Sequence, residues 1–332
     1  MRARLPICLS LLAACGTAQG AQPYRLIPGT FEEGRQPDGN SIILDASNGL
    51  IVIDTGRHKV QQEKILAAAK ARRKPIAAII NSHWHLDHTG GNQEIRAAYP
   101  NARIIASNAV VGALSGFLKD SRNGAEEYLA KEKVPPGVEA EIRGDFAAMD
   151  DRTDLLPTDP VTRSGRRIIA GRPLDVHLAP FAATEGDVWV YDPKTKTVFS
   201  GDLVTAFAPF LDTACVAGWK RALGQIDAVP FTSLVPGHGE VMSRSRFRQW
   251  RAAFNNFVDC SAAKEQCIAA WKREAAPFLA PLGRRKVDAL LGYYVDVRLR
   301  GPGRDKYCPA SSNAPTNSSS PATPSSSASR AR

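Results

Sequence analysis

The sequence lacks several signatures that would assign a chain to a common class of protein. No apolar run reaches the ~20 residues that a membrane-spanning helix needs. There is no GxSxG motif of a serine hydrolase, no phosphate-binding P-loop and no dinucleotide-binding glycine motif. The cysteines show no paired CxxC spacing, which argues against a cysteine-ligated zinc site. Histidine is also scarce, with six residues in a chain of 332.

The composition is that of a packed globular protein, because 43% of the residues are hydrophobic and 23% are charged. The length allows one large domain or two small ones. The formal net charge is +10, and its densest patch is SRSRFRQWR at 243–251. We interpret this patch as a solvated helix face rather than a surface for nucleic acid, so no nucleic-acid partner is expected.

The first twenty residues are typical of an export signal. Arg2 and Arg4 precede a short apolar segment at 5–15, which is too brief to span a bilayer. Two cleavage sites compete: LAAC, a bacterial lipobox that would leave Cys15 as a lipidated N-terminus, and AQG, an ordinary signal peptidase site. Both predict an exported protein, either free in the periplasm or anchored by lipid and facing it.

Four cysteines remain after export, namely Cys215, Cys260, Cys267 and Cys308. An even number in an oxidising compartment predicts two disulfides, and three pairings are open. If Cys260 and Cys267 pair, they cannot share one unbroken helix, since seven helical residues rise ~10.5 Å, which exceeds disulfide reach. The chain would have to break between them, and Ser261 is a suitable start for the next helix.

One folded domain is predicted from about 22 to 308, followed by a disordered Ser/Pro-rich tail over 309–332. Alternating and β-branched patterns predict strands at 41–46, 50–56, 75–81, 102–107, 166–171, 174–180, 187–192, 196–202 and the start of 232–239. Helical spacing covers 59–72, 92–99, 218–228 and most of the chain from there to about 298. Residues 108 to about 165 mix helix and loop and are predicted to be an insertion over the site. Similar element order in two halves predicts two sheets packed face to face with helices outside.

The stretch NSHWHLDHTGG (81–91) holds half of the histidines of the chain. His83 and His85 are two residues apart, so they can point the same way from an extended segment. Asp87 and His88 follow after the chain turns and can serve a neighbouring centre. Imidazole and carboxylate groups at this density are zinc-type ligands. The sequence therefore predicts a metal site immediately after the strand at 75–81.

Four motifs resemble the metallo-β-lactamase superfamily in order and spacing. HWHLDH resembles its HxHxDH signature, and LIVIDTG (50–56), SGD (200–202) and PGHG (236–239) resemble its other motifs. The resemblance implies an α/β fold, the αββα sandwich of two mixed sheets, with the metal site at one sheet edge.

The resemblance also implies roles for individual residues. His83 and His85 would bind a first metal, whereas Asp87, His88 and His238 would bind a second. Asp202 would bridge the two metals, and Asp54 would hold the histidine loop by hydrogen bonds. Asp87 would in addition orient the attacking water or accept its proton.

The chain departs from the family pattern at Ala183. The segment AATEGDVWVYDP (182–193) resembles one in which a third histidine of the first metal stands at this position. Alanine cannot ligate, so the first site keeps two imidazoles and a shared carboxylate, while the second keeps all four protein ligands. Glu185 or His177 could substitute, but we favour a loop charge for Glu185 and an ordinary strand histidine for His177.

The resemblance implies a zinc-dependent hydrolase with one or two Zn²⁺ per chain and a small-molecule substrate. A metal-activated water would attack an ester, lactone, lactam, thioester or similar bond. The alternative is a non-catalytic module, derived from a metallo-hydrolase, that binds zinc or a ligand. Zinc content helps to discriminate between them: one tightly bound zinc per chain would fit the altered site, two would indicate a substitute ligand, and none would favour the binding module.

Overall fold

A computed structural model describes residues 24–31, 35–279 and 287–309 of the chain. The predicted export signal at 1–20, and the predicted tail at 309–332 except its first residue, lie outside the described residues. Within the described ranges, no helix combines the length and apolarity that crossing a membrane requires.

The first sheet has five strands in chain order. They are β1 (Arg25–Ile27), β2 (Ser41–Ala46), β3 (Gly49–Ile53), β4 (Ile76–Ile80) and β5 (Arg103–Ile105). β1, β2 and β3 pair antiparallel, whereas β3, β4 and β5 pair parallel. The parallel strands are almost wholly apolar, as expected for strands that are covered on both faces.

The second sheet has six strands in the order β11-β10-β9-β8-β7-β6. They are β6 (Gly165–Ile169), β7 (Arg172–Pro180), β8 (Gly186–Asp192), β9 (Thr197–Phe199), β10 (Ser233–Val235) and β11 (Met242–Ser243). Only β9 and β10 pair parallel among these strands.

The alternation of side chains along β3 shows how the layers form. Ile51 and Ile53 pack into a buried cluster with Val190 and Phe199 of the second sheet. The intervening residues of β3 face the other way, into a cluster that includes Ile65. The two sheets therefore stack face to face, and the predicted αββα sandwich is confirmed.

Helices cover the outer faces of both sheets. On the first sheet lie α1 (Lys59–Arg72) and α3 (Asn92–Ala98), whereas the short α2 (Leu86–Thr89) lies at the sheet edge and packs against the insertion. The predicted insertion forms α4 (Ala109–Ser115), α5 (Phe117–Lys131) and α6 (Pro136–Asp150). On the second sheet lie α7 (Val216–Ala228), α8 (Arg244–Val258), α9 (Lys264–Ala275), α10 (Val287–Tyr293) and a π-helical segment, Tyr294–Leu299.

The insertion packs on the histidine segment and not on the sheets alone. Trp84 and Leu86 share a buried cluster with Leu118 of α5 and with Phe146 and Met149 of α6. The insertion therefore covers the same edge of the sandwich that carries the histidines.

The cysteines pair as Cys215–Cys308 and Cys260–Cys267. α8 ends at Val258, so the helix is broken between Cys260 and Cys267, as that pairing requires. The predicted helix start at Ser261 is wrong, because α9 begins at Lys264. The residues between the two helices form a loop that brings the two cysteines to a Cα separation of 5.8 Å.

The basic patch lies on α8, and much of it faces one carboxylate. Arg248 Nε and Arg251 Nη1 lie 2.8 and 2.9 Å from the carboxylate oxygens of Asp227. Arg246 instead donates to the backbone carbonyl of Pro277. The patch is thus a helix face with local partners, as interpreted from the sequence.

Candidate metal centre

Four chain segments meet at one edge of the sandwich because they follow strand ends. Asp54 follows β3, and the histidine segment follows β4, its parallel neighbour. Asp202 follows β9 and His238 follows β10, which are also parallel neighbours. Since parallel strands end at the same edge of a sheet, residues distant in sequence converge here.

Two glycines permit the close approach of these segments. Gly201 has a φ of +53°, and a Cβ at this position would meet Ser82 Cβ at 2.4 Å. A Cβ on Gly237 would meet Asp202 Oδ1 at 2.0 Å. A larger residue at Gly201 would push the Asp202 segment away from the histidine segment, and one at Gly237 would push the His238 segment away from Asp202.

Four of the predicted ligands form what we call the complete group: Asp87, His88, Asp202 and His238. Their ligand atoms all lie within 4.8 Å of one another. His238 Nε2 is 3.1 Å from Asp87 Oδ2, and His88 Nε2 is 3.3 Å from Asp202 Oδ1. Two imidazoles and two carboxylates at this spacing match the donor set of a four-coordinate zinc site.

His83, His85 and Asp202 form a second set, which we call the two-histidine group. His83 Nε2 lies 2.9 Å from His85 Nδ1 and 3.9 Å from Asp202 Oδ2. Asp202 belongs to both groups, which is the position predicted for a bridging ligand.

Hydrogen bonds fix the tautomers of the two-histidine group. Ser82 Oγ donates its only proton to Asp54, so it must accept from His83 Nδ1 at 3.0 Å. Thr213 Oγ1 donates to the carbonyl of Ala183, so it must accept from His85 Nε2 at 3.3 Å. The other two nitrogens, His83 Nε2 and His85 Nδ1, therefore carry lone pairs that are directed at the same point.

In the complete group, Asp54 orients His88. His88 Nδ1 donates to Asp54 Oδ2 at 2.8 Å, and this turns Nε2 toward Asp202. His88 Nε2 and Asp202 Oδ1 are both buried and have no hydrogen-bond partner. Buried polar atoms of this kind are rare without a compensating group, and a divalent cation satisfies both a nitrogen lone pair and a carboxylate oxygen. The residues present thus fit a metal ion.

The charge balance differs between the groups. Burial would lower the pKa of His88, but Asp202, Asp87 and Asp54 outweigh it and raise that pKa well above its usual value. The same competition raises the pKa of His238 to about 9, with Asp202 as the strongest carboxylate partner. Since the carboxylates draw protons onto these rings, a cation at the same point would displace the protons.

In the two-histidine group, burial dominates. It lowers the pKa of His83 well below the usual range and that of His85 to about 4, so both rings are neutral at neutral pH. Neutral imidazole is the form that binds a metal.

Ala183 is buried beside the two-histidine group, and its carbonyl accepts the Thr213 hydroxyl. Among the described residues, neither ligand group includes Glu185 or His177. The carboxyl of Glu185 is half-buried, which raises its pKa. His177 stacks on Trp189 with ring centroids 3.8 Å apart, as an ordinary strand histidine would.

The sequence analysis missed two residues that orient the ligands. Ser82 directly precedes His83, so its position in the motif was a usable signal. Thr213 lies 128 residues from His85 and carries no motif, so only the fold shows their contact.

Comparison with known proteins relates the chain to a family and to a fold. A family model described as the metallo-beta-lactamase superfamily matches residues 34–263. A linear primary-alkylsulfatase from Pseudomonas sp. (strain ATCC 19151) is 25% identical over 225 residues, covering 60% of this chain and 41% of that protein. The chain thus spans less than half of the length of this curated relative.

Solved structures share the fold. A metallo-beta-lactamase from Pontibacter korlensis has a TM-score of 0.50 at 19% identity, covering 69% of this chain and 92% of that one. The inverting sec-alkylsulfatase Pisa1 from Pseudomonas sp. has a TM-score of 0.50 at 16% identity, covering 78% of this chain and 47% of that one.

Proposed function

This chain belongs to the metallo-beta-lactamase superfamily, and we propose that it is a zinc-dependent hydrolase of a small-molecule ester, lactone, lactam, thioester or similar bond. The observation that carries the proposal is the complete group at the floor of a cavity. Its four ligand atoms converge, and two of its buried polar atoms, His88 Nε2 and Asp202 Oδ1, have no hydrogen-bond partner among the described residues.

The cavity has a volume of about 770 Å³ and is lined at one end by His85, Asp87, Asp202 and His238. This volume lies in the range of small-molecule sites. The side chains of Asp87 and Asp202 are 12% and 14% exposed, whereas those of His83 and His88 are fully buried. Asp87 and Asp202, together with His85 and His238, are therefore the ligands that face the cavity, whereas His83 and His88 lie behind them.

When bound, zinc supplies Lewis acidity, lowers the pKa of a water molecule and stabilises negative charge on an attacked oxygen. Burial would raise the pKa of Asp87, but His88 and His238 hold it well below its usual value. Asp87 therefore stays ionised and can orient a water or accept its proton at the carboxylate.

Sulfate esters join the candidate bonds because one relative is named as an alkylsulfatase. The test is a screen of the purified, zinc-analysed chain on carboxyl ester, thioester, lactone, β-lactam, phosphoester and sulfate ester probes. We expect turnover with at least one class, lost on chelation and restored by zinc. Turnover that survives complete zinc removal would refute the proposal.

A matched pair of variants tests the role of Asp87. Because Asp87 is also one of the predicted ligands, the variants are compared at equal measured zinc content. Under that condition Asp87→Asn should lower kcat by about a hundredfold or more, because the proton acceptor is lost. Asp120→Asn is the control, since Asp120 is exposed on α5. Equal activities in the two variants would exclude Asp87 as the catalytic acceptor.

Ala183 favours the alternative of a non-catalytic zinc- or ligand-binding module, since one expected ligand is absent. The retention of six metal-type residues in one place argues for the enzyme. Zinc bound tightly in the absence of any turnover across the screen would support the module.

We also propose that the protein is exported to the periplasm, either cleaved before Ala21 or lipidated at Cys15. The two disulfides support an oxidising compartment. Mass spectrometry of the mature N-terminus would decide between the cleavage sites, and an intact N-terminus on cytoplasmic protein would refute export.

A further inference from the structure

The insertion extends the lining of the cavity beyond the metal centre. The ligands form one part of the lining, and side chains of α5 and α6 form another part. A hydrolase that acts only on a small polar bond would need no such extension. The chemistry of its walls therefore bears on what else the substrate contains.

Two pairs of aromatic rings lie beside the metal centre. Phe210 lies 5.2 Å from the ring of His85, and Phe117 lies 6.2 Å from Phe210. A second pair adjoins the complete group, since Phe207 lies 4.9 Å from His238 and Phe31 lies 4.5 Å from Phe207. All four phenyl rings line the cavity. A group that leaves the metal centre thus passes between apolar surfaces.

The far end of the cavity continues this apolar surface. Leu118 of α5 and Ile142, Phe146 and Met149 of α6 line it together. They belong to the buried cluster or pack against it, so they are held in place rather than free to move away. An apolar group that enters this end removes both its own surface and theirs from water.

The charged side chains in the cavity wall are paired with one another. Arg57 Nη1 lies 2.5 Å from Asp145 Oδ2, and Arg35 Nε lies 3.1 Å from Glu141 Oε2. The guanidinium of Arg122 lies 4.4 Å from the Phe146 ring centroid and 3.4 Å from Asp150. Among the described residues of the wall, each of these three guanidinium groups therefore lies beside a carboxylate, so an anionic group on a substrate would have to compete with that carboxylate.

We propose that the substrate carries a long, uncharged hydrocarbon tail, which binds between α5 and α6 while the scissile bond lies at the metal centre. The tail passes between the Phe117–Phe210 pair and the Phe31–Phe207 pair. This inference rests on the proposed function for the identity of the reacting end, but the binding of the tail does not depend on catalysis.

The test measures binding without turnover. The zinc-loaded full chain is titrated with butanoate, hexanoate, octanoate and decanoate by calorimetry. Each carboxylate head can reach the metal end, and only the tail length varies. We expect Kd to fall by about three- to fourfold for each added methylene, from ~0.8 kcal/mol per buried methylene. A Kd that does not change with tail length would overturn the proposal.

A matched pair of variants locates the tail. Ala125 lines the cavity on α5, whereas Ala130 is exposed on the same helix and does not line it. Ala125→Leu should weaken decanoate binding by about tenfold and leave butanoate within twofold, because the added methyls occupy the far end. Ala130→Leu should change neither. Equal decanoate affinities in the two variants would place the tail elsewhere and overturn the proposal.

The outcomes separate this inference from the proposed function. A steep alkanoate series without hydrolysis of any probe would support the tail site and count against the enzyme. Hydrolysis together with a flat series would do the reverse. If Ala125→Leu does not fold, the alkanoate series on the unaltered chain still decides the question.

Discussion

The complete group and the two-histidine group lie side by side at one sheet edge, yet they differ by one ligand. Both contain two imidazoles, both use Asp202, and the rings of His83, His85 and His88 are held by hydrogen bonds to their second nitrogens. The resemblance predicts that the donor missing from the two-histidine group belongs at position 183. Because both groups have these supporting hydrogen bonds, a difference in their zinc affinity can be attributed to the one missing ligand. We expect one tightly bound zinc per chain.

The largest effect should come from breaking the complete group. His88→Ala removes one of the four ligands of the complete group, so the affinity of the tight zinc should fall by at least about a hundredfold. His83→Ala is the matched control and should retain one zinc per chain. The measurement is elemental analysis after dialysis against a weak chelator. If both variants lose zinc equally, the two groups do not differ as described.

Restoring the missing ligand should remove the difference. In Ala183→His the new side chain would face the cavity that Ala183 lines and give the two-histidine group a third imidazole. We expect the zinc content to rise from one to two per chain. Ala183→Leu is the control, because leucine adds bulk without a donor. An unchanged zinc content in Ala183→His would show that position 183 does not reach this metal.

A smaller effect should follow from releasing His85. Thr213→Val keeps the shape but removes the acceptor of His85 Nε2, so the ring loses the bond that fixes its tautomer. We expect an approximately tenfold loss of affinity for a second metal, measured by cobalt titration of the Ala183→His background. Thr213→Ser should retain the affinity. An equal loss of metal affinity at the complete group would mean that Thr213 supports the whole histidine segment and not His85 in particular.

Ser82 and Thr213 both orient a ligand, but only Ser82 adjoins a motif, and this difference shows what the sequence could predict about the site. The strands and helices near the ligands follow strong local patterns, so α1 was predicted over the same residues, 59–72, that the structure gives. The ligands lie in short motifs at strand ends and could be predicted in the same way. Thr213 could not, because its role depends on a loop that packing and the Cys215–Cys308 disulfide hold in place.

The cavity walls were also beyond prediction from the sequence. The insertion was expected to lie over the site. The pattern of its polar and apolar residues, however, did not indicate which side chains face the metal centre. Which side chains of α5 and α6 face inward depends on how the two helices pack on Trp84 and Leu86. Only tertiary structure could identify Phe146 and Met149 as part of the substrate cavity.

The smallest expected effect tests whether the insertion contributes to the difference between the groups. His58 Nδ1 lies 2.8 Å from Asp38 Oδ2, and its Nε2 lies 3.2 Å from Glu141 Oε1 of α6. The hydrogen bond to Asp38 raises the pKa of His58, and partial burial opposes it. Because the folded-state pKa is raised, this stabilisation is complete below the unfolded-state pKa of about 6.5 and is lost as the pH rises through the folded-state value.

His58→Gln should therefore lower the free energy of unfolding by ~1–2 kcal/mol near pH ~5.5 and by much less near pH ~9. Urea denaturation at the two pH values measures this difference. At neutral pH the variant should still bind one zinc per chain, because no ligand is altered and the contrast between the groups arises from position 183. A gain or loss of zinc in His58→Gln would mean that the insertion, and not the ligand sets alone, determines which group holds the metal.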